Sequence, residues 1–142
     1  MAKIHVLLKK EELDGQRLPG KVVVVLDVLF ATSSIVTALA HGAVEVVPFL
    51  NGEAALQEAA RRPKGSYVLS GELNAMTLAG FSHPMPMSLL EENLSGKTLI
   101  YSTTNGTVAL AANGTFTYTV DGTTQAKPIT RQVFTPPGNA CQ

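Results

Sequence analysis

The sequence predicts an α/β fold, a mainly parallel sheet covered by helices, followed by a C-terminal β-hairpin. Up to residue 112, apolar runs of strand length alternate with segments of helical spacing. One run, "KVVVVLDVLF" from Lys21, is β-branched without polar alternation, as in a strand buried on both faces. Beyond residue 113 the pattern changes: Phe116, Tyr118 and Val120 alternate with threonines before an Asp-Gly pair at 121–122, and Ile129, Val133 and Phe134 return. That is a hairpin signature. The expected division is an α/β domain over residues 1–112 and a hairpin tail over 113–142, packed on the same domain.

Element by element, "KIHVLL" (residues 3–8) reads as the first strand. A polar loop with Asp14, Gly15, Pro19 and Gly20 separates it from the second, residues 21–30. "ATSSIVTALAHG" places Ile35, Val36 and Leu39 on one helical face, with Gly42 positioned to stop the helix. "VEVVPFL" (44–50) is a third strand, "GEAALQEAARR" a helix ended by Pro63, and "SYVLSG" (66–71) a fourth strand. Residues 72–87 read as a loop rich in Met, Pro and Gly, after which Ser88 can cap a short helix, "LLEENL". "KTLIYST" is the fifth strand, and "TTNGTVAL" continues it as a turn and a short helix.

Composition bounds the function classes. The chain has 142 residues, 45% of them apolar and 15% charged, enough for one domain with a real core. Eleven basic and eleven acidic side chains cancel, and no basic cluster exceeds Lys9–Lys10 or Arg61–Arg62. No nucleic-acid partner and no membrane are expected. The one cysteine, Cys141, excludes an internal disulfide, and no leader-like segment opens the chain, so the expected location is the cytoplasm.

Polar clusters fall at or just after the expected strand ends: Asp27, Glu72, Ser82 with His83, and Ser102 to Asn105. In a parallel sheet those ends share one edge, where ligands collect. Thr103, Thr104, Asn105 and Gly106 either cradle an anion on free backbone N–H groups or cap the helix that follows. For Asp27 the plain reading is a cap for the helix near Thr32, and for Glu72 a solvated loop charge. His83 is a general acid or, more simply, a loop histidine.

Together, "VVVVLDVLFATSSIVTALAHGAVEVVPF", "SGEL", the "AGF" before the Met/Pro loop and "LSGKTLIYSTTNGTVAL" resemble the 2-phosphosulfolactate phosphatases over residues 21–112. The resemblance implies Mg²⁺-dependent hydrolysis of a small anionic phosphate ester, phosphosulfolactate to sulfolactate and phosphate, in coenzyme M biosynthesis. It implies catalytic and Mg²⁺-holding roles for Asp27 and Glu72, and an anion cradle at Thr103, Thr104, Asn105 and Gly106.

The family pattern carries arginine where this chain has Phe30, Leu73 and Val108, and "SHPMPM" replaces its "DLGNSP". The family also continues well past "TTNGTVAL", so a shortened chain is expected. Arginine forks serve anionic substrates through charge-assisted bonds of about 1.5–3 kcal/mol each. Their replacement predicts weak or lost activity. The alternative expectation is a non-catalytic interaction or oligomerising protein built on that fold, such as a homodimer.

Overall fold

A computed structural model of the chain describes residues 3–111, 115–120 and 123–128. Its main sheet has the order β1-β4-β2-β3. Strands β1 (Glu45–Phe49) and β2 (Tyr67–Leu73) both pair in parallel with β4 (Thr98–Ser102), and β3 (Met76–Thr77) folds back antiparallel on β2. Helices α1 (Ala31–Ala40), α2 (Gly52–Arg61), α3 (Pro86–Leu90) and α4 (Gly106–Ala111) complete an α/β fold.

Strand β4 lies between two neighbours and is buried throughout, hence its lack of alternation. Its side chains divide between two layers. Leu99 and Tyr101 join Val46, Val68, Ile35, Leu39, Leu89 and Leu110, while Ile100 joins Val47, Phe49, Ala55 and Ala59. The first layer is closed by α1 and α3, the second by α2.

Local chemistry fixes the helix ends. At α1 the Ala43 N–H donates to Ala38 O at 3.0 Å and Gly42 N–H to Leu39 O at 3.4 Å, with Gly42 at φ +98°. This left-handed stop is what the glycine supplies. Asn51 caps α2, accepting from Ala54 N at 2.9 Å. The expected cap at Ser88 does not form: Pro86 sits in the first turn, with its ring preset for helix, so α3 starts ahead of Ser88 and ends at Leu90.

The two N-terminal strands are the main correction. Residues 3–7 and 21–27 have no strand partner among the described residues, and Val22, Val24 and Leu26 are 93%, 75% and 83% exposed. Val23 and Val25 are half-buried, and Val25 packs on the α1 layer. β-Branched runs express a propensity, but a strand needs a neighbour for its N–H and C=O groups, and β1 and β2 already take both edges of β4. A second correction concerns Glu72, which belongs to β2 and pairs with Thr77 of β3 instead of opening a loop.

Strands β5 (Thr115–Val120) and β6 (Thr123–Pro128) pair antiparallel as a separate two-stranded sheet. The turn expected at 121–122, and the returning Ile129, Val133 and Phe134, lie outside the described residues. Among the described residues no helix is long and apolar enough to cross a membrane.

Candidate functional site

At the carboxyl edge of the sheet a cleft of about 240 Å³ is lined by Asp27, Phe30, Glu72, Asn74, Thr103, Thr104 and Asn105, with Leu29, Ala31 and Ala75 completing its wall. The fold therefore brings Asp27, Glu72 and the 103–105 turn to one place: Glu72 and the turn come from the adjacent ends of β2 and β4, and Asp27 from the unpaired segment just ahead of α1. Phe30 stands edge-on to His83, their ring centroids 6.5 Å apart. His83 itself does not line the cleft; its Nδ1 accepts from Met85 N at 3.3 Å, which suits a loop histidine.

Glu72 is 7% exposed and carries three accepted hydrogen bonds. Oε1 accepts from Thr104 N at 2.6 Å; Oε2 accepts from Thr104 Oγ1 at 2.9 Å and Ala75 N at 2.7 Å. Thr104 Oγ1 in turn accepts from Asn74 N at 2.8 Å. Asn74 and Ala75 have φ of +52° and +64°, so a strained left-handed pair is held by these bonds. Glu72 is thus no solvated charge.

Thr103 is a helix cap by geometry, its Oγ1 accepting from Thr107 N at 3.2 Å. The Thr107 hydroxyl returns the bond, accepting from Thr103 N at 2.8 Å and donating to Thr103 O at 2.9 Å. Both residues are buried. Sequence reasoning passed over Thr107, whose reciprocal bonds with Thr103 span four residues and so lack the three-residue spacing of a capping box.

Asp27 stands just ahead of α1. Its backbone C=O accepts from Thr32 N at 3.1 Å and Thr32 Oγ1 at 2.8 Å, while Oδ1 accepts from Phe30 N at 3.3 Å. The Asp27 backbone carbonyl, not its carboxylate, takes the first-turn Thr32 N–H, and no side chain caps α1 at Phe30. Oδ2 lies against Gly106, where an added Cβ would come within 2.5 Å of it and would also collide with Ala31 Cβ. Gly106 is needed for this close approach.

Lys10 is a cation that sequence reasoning did not place here. Its Nζ donates to Thr104 O at 2.5 Å. Beneath the cleft, Tyr101 Oη donates to Pro84 O at 2.9 Å and Ser34 Oγ to the same oxygen at 2.5 Å, tying the 82–84 segment to the core. Desolvation pushes the Tyr101 hydroxyl well above the usual phenol range, and the charges of Asp27 and Glu72 add to it.

Residues 7–119 match the 2-phosphosulpholactate phosphatase family. The chain belongs to the 2-phosphosulfolactate phosphatase family. Relatives named "Probable 2-phosphosulfolactate phosphatase" include one from Clostridium beijerinckii, 37% identical over 109 residues, which cover 76% of this chain and 46% of that protein. Another, from Symbiobacterium thermophilum, is 43% identical over 97 residues, covering 68% and 42%. A third, from Clostridium perfringens, is 41% identical over 111 residues, covering 76% and 45%. The chain spans about half the length of the curated relatives it matches.

Of the three apolar positions, Phe30 walls the cleft of this 2-phosphosulfolactate phosphatase family member, and Leu73 is 57% exposed at the end of β2. The Val108 side chain lies outside the described residues. Mg²⁺ takes oxygen ligands and keeps several waters, so one or two carboxylates suffice for it. Asp27 fits that requirement, since among the described residues no donor bonds its Oδ2. Glu72 fits less well, because three of its acceptor directions are already used. Among the described residues no group of three or more His, Cys, Asp or Glu forms a metal cage.

Proposed function

We propose that the cleft is a Mg²⁺-assisted binding site for a small anionic phosphate ester, of the phosphosulfolactate type, with hydrolysis weak or lost. The observation that carries this reading is the meeting of Asp27, Glu72 and the 103–105 turn around one cleft in a chain of this family. Asp27 is the carboxylate that would hold the metal, with Glu72 as the second carboxylate at the cleft. The metal supplies positive charge to the phosphoryl oxygens. That charge is needed, because two carboxylates line the cleft and would otherwise repel the ligand. Hydrolysis is reduced because Phe30 and Leu73 offer no guanidinium, and because Glu72 already takes the Thr104 donors.

The test is the melting temperature with MgCl₂, with phosphosulfolactate, and with both, for wild type and Asp27→Asn. Ligand at a hundred times its Kd adds about 2.7 kcal/mol of stability. A rise that requires both ligands and vanishes in Asp27→Asn is expected; no rise with both ligands in wild type sinks the reading.

A second reading, self-association, is favoured by the exposed run of Val22, Val24, Leu26, Val28 and Leu29. Exposed β-branched backbone without a ladder partner is prone to pair with another chain. Sedimentation velocity on wild type and on Val22→Lys/Val24→Lys decides it: a dimer lost in the double variant supports association, and a wild-type monomer at high concentration removes it.

A further inference from the structure

Lys10 lies in a single 3₁₀ turn, Lys10–Glu12, far from the sheet in sequence. Its half-buried ammonium crosses 94 positions to reach the Thr104 carbonyl at 2.5 Å, and among the described residues no carboxylate pairs with it. A lysine placed this way offers two further donors and a positive charge beside Thr104, one of the residues that line the cleft.

The bond acts on one peptide unit, the Thr104 C=O and the Asn105 N–H. No peptide is cis among the described residues, so the C=O and N–H of that unit point in opposite directions. Holding the carbonyl on Lys10 therefore turns the Asn105 N–H away from Lys10. A cation on the carbonyl also polarises the amide and strengthens its donation. Glu72 fixes the same residue from its other side, through Thr104 N and Oγ1. The N–H groups of Thr103, Thr104 and Thr107 are taken by protein acceptors, while among the described residues no acceptor takes that of Asn105.

We infer that Lys10 is a positioning residue of this site: it orients and polarises the Thr104–Asn105 peptide so that the Asn105 N–H serves a phosphoryl oxygen. It also brings positive charge to a turn where Phe30 and Leu73 bring none. The inference rests on the anion-binding reading above.

The test compares wild type, Lys10→Met and Lys10→Arg as full chains, by amide ¹H–¹⁵N spectra and by titration with inorganic phosphate in MgCl₂. Lys10→Met is expected to move the Asn105 amide resonance and to weaken phosphate roughly tenfold, the scale of a lost neighbouring charge or charge-assisted bond. Lys10→Arg, which still donates to the carbonyl, is expected to restore most of both. Lys10→Gln, neutral but still a donor, replaces the methionine variant if that one does not fold, and is expected to fall between the two. An unmoved Asn105 resonance, or phosphate bound equally well without the ammonium, overturns the inference. If wild type binds no phosphate while the Asn105 resonance moves in Lys10→Met and returns in Lys10→Arg, the anion reading fails and the orientation of the peptide by Lys10 stands.

Discussion

Glu72 and Thr104 are joined by two hydrogen bonds, the N–H to Oε1 at 2.6 Å and the hydroxyl to Oε2 at 2.9 Å. A side-chain carboxylate thus sits on the donors that a phosphoryl group would use. An incoming anion either displaces Glu72 or relies on what the turn has left, and a metal that draws Glu72 toward itself would release Thr104.

Glu72→Gln tests the structural half of that relationship. The amide keeps one acceptor, but its NH₂ faces either Thr104 N or the Thr104 Oγ1 and Ala75 N pair, leaving at least one part-buried donor unmatched. A loss of about 1–3 kcal/mol is expected. Urea unfolding measures it, and an unchanged midpoint would show that Glu72 is not what holds Thr104 and Ala75.

Thr107→Val removes a buried hydroxyl that accepts from Thr103 N and donates to Thr103 O. The stranded Thr103 N–H predicts a cost of about 1–3 kcal/mol, whereas Thr107→Ser keeps the hydroxyl and loses only a methyl. Equal midpoints for the two variants would refute the capping role.

The succession of strands and helices along the chain from α1 onward was legible, though not which strands lie side by side, because each buried strand has its own uninterrupted apolar run and Gly42 and Pro63 mark helix ends. The meeting of Glu72 and the 103–105 turn was legible because adjacent strand ends predict a shared edge, whereas Asp27 reaches the same cleft from a segment that is no strand. What each side chain does there was not. Glu72 reads as a loop charge until the two-residue strand at 76–77 folds it inward. Lys10 carries no local mark at all, since its partner is a backbone carbonyl 94 positions away. The strands expected at 3–8 and 21–30 failed because propensity is local and pairing is not.

Gly106→Ala examines the contact between the turn and the segment before α1. The new methyl collides with Ala31 Cβ, which is fixed to the α1 backbone and cannot turn aside, and meets Asp27 Oδ2 at 2.5 Å. Overpacking of this kind costs about 1–3 kcal/mol and displaces the Asp27 carboxylate. The variant is expected to unfold at lower urea and to lose any melting shift that MgCl₂ and phosphate produce together. Wild-type stability in Gly106→Ala would mean that the turn and Asp27 are less closely packed than described.

Tyr101→Phe makes a prediction about pH. The Tyr101 hydroxyl is fully buried and donates to Pro84 O at 2.9 Å, so its loss costs about 0.5–1.5 kcal/mol at neutral pH. Desolvation raises its folded-state pKa above the unfolded value of about 10, and Asp27 and Glu72 raise it further. A group raised in this way contributes its full stability below the unfolded value. As pH climbs past that point the unfolded chain releases the proton and the folded chain does not, so stability falls by up to about 1.4 kcal/mol per pH unit until the folded value is reached. Phenylalanine has no proton to lose. The wild type is therefore expected to be the more stable protein at pH 7, and its advantage is expected to shrink and then reverse above about pH 10. Urea midpoints of both proteins at pH 7, 10 and 11 measure the crossing; parallel pH profiles would mean that Tyr101 titrates as an exposed phenol does, and that the contact with Pro84 does not exclude water.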